Sequence, residues 1–395
     1  VSDPHDQQEG GGMDFSLSMD QEILRETVRK FAENEIGPVA EELDEKDEFS
    51  YDTRRKMAEM GLFGIFGSEE YGGQGMDYVS YIIATEEIAR VDGSHAATVA
   101  AENSLGIGPL YYFGSEEQKR RYLPAWCRGE TLWGFGLTEP NAGSDAANAQ
   151  TRAELDGEEW VINGTKIFIT NAATDITAGV TVLCRTGTRK DGKPELSCIL
   201  VDSGTPGFVA KEMHGKMMWR ASNTSELYFD DCRVPKENLL GERGNGFRQM
   251  MQTLDGGRLS IGAMGLGGAQ GCLDRALKYA NEREQFGRTI GRFQANAFKL
   301  ADMAVGVETA RLLLYKACWL RDNDMSFSKV AAMAKLYCSE IMRDCANHAV
   351  QIHGGYGLMR DYGVERFYRD QKLLEIGEGT SEVQRIVIAR HLGVL

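Results

Sequence analysis

The chain has 395 residues, 42% of them hydrophobic, and a formal charge of -15 at pH 7, enough apolar content for two or three packed domains. That acidity argues against a nucleic acid or an anionic membrane as partner, because neutralising phosphates takes a basic stripe. The eight cysteines form no CxxC pair and no metal-ligand spacing, which suggests reduced thiols and no metal, and no apolar run approaches the ~20 residues of a membrane span.

Residues Val1 to Gly12 are polar and end in three glycines before Met13, a pattern read as an expression leader outside the fold. Ser18 and Gln21 have capping-box spacing, and Leu24, Val28 and Phe31 follow at helical intervals, which predicts a first amphipathic helix. Helical periodicity returns over Tyr51 to Met60 and Tyr78 to Ala89. Residues 13–132 are therefore expected to form a helical domain.

From about Trp133 the period changes to two. Trp160 to Ile162 and Lys166 to Ile169 flank Asn163-Gly164, which predicts a hairpin with a type I′ turn. Alternation continues at Val180, Val182 and Cys184, breaks at Lys190-Asp191-Gly192-Lys193 and resumes at Leu196, Cys198 and Leu200. Leu227 and Phe229 suggest one further strand. Residues 133–245 read as a β-domain without helical crossovers.

After about Gly246 the helical period lasts to the end. Leu300, Met303, Val307, Ala310, Leu314 and Ala317 draw one seam, Val330, Met333, Tyr337 and Ile341 a second, and Cys272, Ala276 and Tyr279 a third. Residues 246–395 read as a helical bundle. Gly262 to Gly271 is glycine-rich, but Gln270 stands where GxGxxG needs its last glycine and no βαβ unit surrounds it. Close helix packing is expected there. His348 and His353 are read as structural.

Chemistry concentrates near the C-terminus, in LEIGEGTSEVQRIVIAR, residues 374–390. Glu378 stands between Gly377 and Gly379, which lets the backbone turn sharply or approach a ligand, and Thr380 or Ser381 can cap the helix that follows. Taken alone, the stretch is equally a solvated acid before a capped helix. Three more segments accompany it: FGLTEPNAGSD (135–145), a turn rich in hydroxyls and acids; the run Ile167-Phe168-Ile169-Thr170; and QIHGGYG (351–357), a glycine-stopped helix.

Together, in this order, these segments resemble the signatures of the acyl-CoA dehydrogenase family over essentially all of residues 13–395. The resemblance implies an α+β fold with an N-terminal α-helical domain, a middle β-sheet domain and a C-terminal four-helix bundle. It implies FAD as cofactor, with Phe135, Leu137, Thr138 and Ser144 along the flavin, Ser144 also near the CoA phosphates, and Phe168 and Thr170 against the flavin ring. Thr380 and Glu382 belong to the same cofactor set. Arg283, Gln285, Phe286, Phe293, Gln294, Gln351, Gly354 and Gly355 would hold the FAD of a neighbouring subunit in a homo-oligomer, by the family rule a tetramer. Asp255, Arg258 and Gly379 fall at positions that meet the acyl-CoA; without the match, Asp255 and Arg258 read as an exposed helix ion pair.

The activity implied is dehydrogenation of an acyl-CoA between its α and β carbons. Glu378 would take the α proton, the β hydride would pass to the flavin, and electrons would leave to an electron-transferring flavoprotein. Some branches place the base just before the arginine of the bundle's first helix, but here that position is Gly257, so Glu378 is the expected base. Gly377 stands where straight-chain members usually carry tyrosine, and with Ala100 and Ala101 it suggests room for a short to medium, branched or cyclic acyl group. Glu102 reads as an exposed helix acid or as an acid facing the substrate tail. A flavin oxidase or monooxygenase on the same scaffold, and a non-catalytic acyl-CoA-binding protein, are the competing functions. A bacterial cytoplasm, or the mitochondrial matrix of a eukaryote, is the expected compartment.

Overall fold

The computed structural model describes residues 15–395, so the expected leader lies outside the described residues. The N-terminal third is helical: α1 (Met19–Phe31), α2 (Gly37–Lys46), α3 (Tyr51–Glu59), α4 (Tyr78–Ala89), α5 (Gly93–Ala101), α6 (Gly108–Phe113) and α7 (Glu116–Cys127). The capping box at Ser18 and Gln21 is formed and starts α1. A π-helical turn, Glu102–Ile107, continues α5. All but one residue of α4 are buried, because this helix lies between α1 on one side and the C-terminal bundle on the other.

The middle of the chain forms one eight-stranded sheet from β1 (Leu132–Gly136), β2 (Arg152–Asp156), β3 (Glu159–Thr170), β4 (Thr177–Thr188), β5 (Pro194–Asp202), β6 (Phe208–Glu212), β7 (Thr224–Pro235) and β8 (Leu239–Leu240). The order is β6-β7-β3-β2-β4-β5-β8, with β1 pairing parallel to β4. The expected turn at Lys190 to Lys193 joins β4 to β5, with Gly192 at φ +79°.

The expected hairpin at Asn163-Gly164 is not there. β3 runs straight through it, and the hairpin turns at Gly157-Glu158, between Asp156 and its partner Glu159. Gly164 marks a bulge against β7, where a Cβ would stand 2.5 Å from Thr151 Oγ1. The glycine serves a close approach rather than a turn. Asp156-Gly157 carried an equally good turn signal in the sequence.

The last third comprises α8 (Gly246–Glu282), α9 (Gln294–Asp322), α10 (Ser328–His353), α11 (Val364–Ile376) and α12 (Ser381–His391). The first four pack as a bundle, and α12 lies on α10. The α9 seam is buried as expected from Met303 to Ala317, with Leu300 at its half-buried end. On α10 the expected seam is displaced: Val330, Met333, Tyr337 and Ile341 are half-buried, and the fully covered face carries Ala331, Ala334, Lys335, Cys338 and Met342.

The cause is how closely α8 and α10 approach. A Cβ at Gly265 would lie 2.8 Å from the Cys338 carbonyl oxygen, and one at Gly267 only 2.1 Å from that of Glu86 on α4. The glycine-rich run is thus the contact strip of α8, as expected, and the face of α10 opposite it carries Ala334, Cys338 and, against the bare backbone of Gly268, Met342. The residues of the expected seam sit at the rim. Among the described residues no helix is long and apolar enough to cross a membrane, and no cluster of His, Cys, Asp and Glu could hold a metal ion. All eight cysteines are free and buried.

Candidate active site

Glu378 sits in the turn between α11 and α12 with φ +52°, followed by Gly379 at φ +94°. The sharp turn therefore falls on Glu378 and Gly379. Gly377 has an ordinary φ of -65° and caps α11, and a Cβ there would meet nothing closer than 3.4 Å. Its missing side chain is a matter of space, not of backbone. Thr380 caps α12 by accepting from Val383 N–H at 3.2 Å, as the sequence suggested.

The turn lays the Glu378 carboxyl directly over Gly257 of α8, where a Cβ would stand 1.9 Å from Oε2. Oε2 is shut off from solvent and has no hydrogen-bond partner. Burial pushes the group up to about 7, opposed by the charges of Lys335 and Arg258. A carboxyl so placed is ready to exchange a proton near neutral pH. The two positions at which the resemblance allowed a base thus meet in space, and here one supplies the acid while the other makes room for it.

Arg258 is buried, 6% exposed, and contacts Asp255 one turn away on α8, while Ser328 donates to Asp255 at 3.1 Å. An exposed helix ion pair is therefore not what forms. Two groups the sequence reading passed over complete this corner. Lys335 Nζ donates to the Gly379 carbonyl at 2.8 Å, and Gln384 Nε2 donates to the same oxygen at 2.9 Å. The signal was a lysine in the apolar stripe of α10. Glu382 is exposed in the first turn of α12.

A second corner is built on the sheet. Phe135 is the last residue but one of β1, and the chain beyond the strand is clamped to β3: Lys166, 0% exposed, donates to the Leu137 carbonyl at 3.1 Å and to Glu139 at 2.8 Å. Glu139 in turn accepts the backbone N–H groups of Gln150 and Thr151. This buried pair, not singled out in the sequence, puts the Thr138 carbonyl on the Ile167 N–H at 3.0 Å. Beside it Phe168 takes φ +61° and projects outward, 62% exposed. Thr170 is half-buried and Ser144 exposed in the loop after β1.

Glu102 is wholly buried, which overturns the exposed reading. Its Oε2 accepts the Trp133 N–H at 3.0 Å, tying the π-turn after α5 to β1. Burial drives the carboxyl up to about 8. Asn171, directly after Thr170, donates to the Thr98 carbonyl at 3.3 Å, so α5 joins the sheet corner to Tyr81 of α4, whose hydroxyl reaches the Ala100 carbonyl at 2.8 Å. Glu378 lies close enough to act electrostatically on Tyr81.

A third set gathers at the other end of the bundle. Arg283, Gln285, Phe286, Phe293, Gln351 and Gly355 line an open hollow of about 620 Å³; Gln294 and Gly354, next in sequence to Phe293 and Gly355, are not among its lining residues. Nothing lies within 4 Å of a Cβ placed at Gly354 or Gly355, and Phe286 is 94% exposed at φ +53°. Bare backbone, cations and uncovered rings in one hollow suit an anionic, aromatic ligand such as a dinucleotide.

Comparison with known proteins agrees along the whole chain. The description "Acyl-CoA dehydrogenase, N-terminal domain" matches residues 18–130, the middle domain 134–232 and the C-terminal domain 244–393. The chain belongs to the acyl-CoA dehydrogenase family. It is 52% identical over 380 residues to the probable acyl-CoA dehydrogenase YngJ of Bacillus subtilis, covering 96% of this chain and 100% of that one. The short-chain specific acyl-CoA dehydrogenase of Clostridium acetobutylicum is 45% identical, covering 95% and 99%.

Among solved structures, butyryl-CoA dehydrogenase from Megasphaera elsdenii superposes with TM-score 0.93 at 39% identity, covering 96% of this chain and 100% of that one. A chain from a study of the electron transferring flavoprotein of Acidaminococcus fermentans also gives TM-score 0.93, at 44% identity, covering 96% and 99%. The helical, β and helical parts of an acyl-CoA dehydrogenase fold are those described above.

Proposed function

We infer that this protein is an FAD-dependent acyl-CoA dehydrogenase with Glu378 as its base. The observation that carries the assignment is the carboxyl of half-buried Glu378 lying over Gly257, with Oε2 shut off from water and unpartnered and its affinity for protons raised toward neutrality. The thioester acidifies the α C–H of the substrate, and a desolvated carboxylate is the stronger base for it. Glu378 takes the α proton, a hydride leaves the β carbon, and the product is the 2-enoyl-CoA. FAD supplies the hydride acceptor and passes electrons on to an electron-transferring flavoprotein.

The chain's own groups divide the remaining work. The clamped 137–139 segment with Phe168 and Thr170 forms the flavin-facing wall. Phe168, held outward by its backbone, covers the ring face from water. Asp255, Arg258 and Gly379 surround the thioester end, and Ser144 meets the CoA phosphates from its exposed loop. Open space at Gly377 and the small Ala100 and Ala101 favour a short acyl group with a branch or ring.

The hollow is lined on α8 from Tyr279 onward, 22 residues beyond Gly257, about 33 Å at helical rise. That separation agrees with the family resemblance, by which the hollow serves the FAD of a neighbouring subunit. We therefore propose a homo-oligomer, a tetramer as in the family. Its compartment is the bacterial cytoplasm, or in a eukaryote the mitochondrial matrix.

Purified protein should be yellow, and anaerobic addition of butyryl-CoA or a branched or cyclic homologue should bleach the flavin band. Glu378→Gln should stay yellow and lose turnover by several orders of magnitude, as expected when a base is removed. Ordinary turnover in that variant would remove the assignment. Fast reoxidation in air would point to an oxidase, and a colourless protein to a binding scaffold.

A further inference from the structure

Lysine is almost never fully buried unless paired, yet Lys335 is 0% exposed on the most tightly packed face of α10, between Ala331 and Cys338. Its hydrogen bond goes to a neutral acceptor, the Gly379 carbonyl. An apolar side chain would pack here without the cost of a buried ammonium. What the ammonium touches is the one turn that carries the base, in a backbone conformation, φ +52°, that glutamate rarely adopts.

We propose that Lys335 is the positioning residue for Glu378: its ammonium, fixed on the Gly379 carbonyl, holds the turn that keeps the carboxyl over Gly257 and presents a buried positive charge to it. The proposal rests on the reading of Glu378 as the base. Gln384 assists from α12 by donating to the carbonyls of both Gly379 and Glu378. Lys335 and Gln384 thus secure both peptide oxygens of the turn.

Four charged groups face Lys335: Glu378 from the turn, Arg258 from α8, Glu375 from α11 and Glu382 from α12. Tyr81 of α4 faces Glu378. Arg258 places Nη1 on Asp255 and keeps a buried Nε without a partner, so Lys335 and Arg258 both act on the base, and of the two Lys335 also holds its turn. Burial lowers Lys335 to about 8 against the pull of Glu378, and Lys335 in return favours the carboxylate form of Glu378. The lysine therefore holds the base in place and, with Arg258, offsets part of the rise that burial imposes on it.

Lys335→Met and Lys335→Gln are compared in the FAD-loaded enzyme by anaerobic flavin bleaching across pH, by acyl-CoA titration, and by hydrogen exchange over residues 376–384. Lys335→Met is expected to bleach about ten- to a hundredfold more slowly at pH 7, the scale of a displaced catalytic group, with acyl-CoA affinity within about threefold. Its rising pH limb moves to higher pH, since the carboxylate has lost a stabilising cation, and the amides of the turn exchange faster. Lys335→Gln keeps a donor for Gly379, so it restores the protection and part of the rate while the pH limb stays displaced.

A Lys335→Met enzyme with wild-type rate, pH limb and exchange would overturn the proposal, as would a slow enzyme with neither limb nor exchange altered. If Lys335→Met does not fold, Lys335→Gln decides alone: an unshifted limb refutes the role. Glu378→Gln run in parallel keeps the two readings apart. Normal turnover there defeats the base assignment, whereas an inactive Glu378→Gln beside an unaffected Lys335→Met defeats only the role of the lysine.

Discussion

Gly257→Ala separates the geometry of the base from the stability of the fold. The added Cβ would stand 1.9 Å from Glu378 Oε2 and 2.9 Å from its Cδ, and real Cβ contacts do not fall below 3.0 Å, so Oε2 must retreat by about 1 Å. The colliding atom is the tip of a flexible side chain, so the helix itself is not forced apart. Replacing a mid-helix glycine by alanine is worth up to about 1 kcal/mol of helix propensity, so folding should be unchanged or slightly strengthened. A base displaced by about 1 Å costs on the order of 100-fold in rate. The assay is anaerobic stopped-flow bleaching at saturating butyryl-CoA, with FAD content and thermal midpoint measured on the same preparation. Wild-type bleaching in a fully loaded, folded Gly257→Ala would show that the carboxyl does not work from above Gly257, and the site as described would be wrong.

Glu102→Gln should stabilise the protein increasingly with pH. Burial holds the folded carboxyl at about 8 against an ordinary 4.5, so its contribution is complete below about pH 4.5 and is lost as pH rises through 8. The neutral amide keeps an oxygen for Trp133 and escapes that loss, on the order of a few kcal/mol at pH 8. A difference in thermal midpoint that does not change with pH would refute this. Because the acid is committed to Trp133, the substitution should affect straight and cyclic substrates equally and slightly. Lys166→Met should cost about 3–5 kcal/mol by leaving the Glu139 carboxylate buried without its cation, with much of the loss recovered in the double variant with Glu139→Gln. Urea unfolding of the single and double variants measures it, and equal stability of wild type and Lys166→Met would count against the clamp.

Much of this was legible before any coordinates. The Ser18 capping box, the α9 seam and the Lys190 to Lys193 turn are set by short-range chemistry, so neighbours in sequence were enough to find them. Where two local signals competed, the sequence could not rank them: Asp156-Gly157 turns and Asn163-Gly164 does not, because Thr151, just before β2, presses against Gly164. The displaced face of α10 has the same origin. Periodicity finds the large apolar residues, but the line of closest helix approach belongs to the small ones.

The sequence by itself determined that a carboxylate stands in a turn before a capped helix, within segments that match one enzyme family. It could not show that one oxygen of this carboxylate is shut off from water, that it lies over Gly257 more than a hundred positions earlier, or that the charges of Lys335 and Arg258 act on it. It also left Glu102 open between an exposed helix acid and an acid facing the substrate tail. Those facts were decided by tertiary structure, because the strength of an acid depends on desolvation and on charges brought in from distant parts of the chain, and neither is a property of its sequence neighbours.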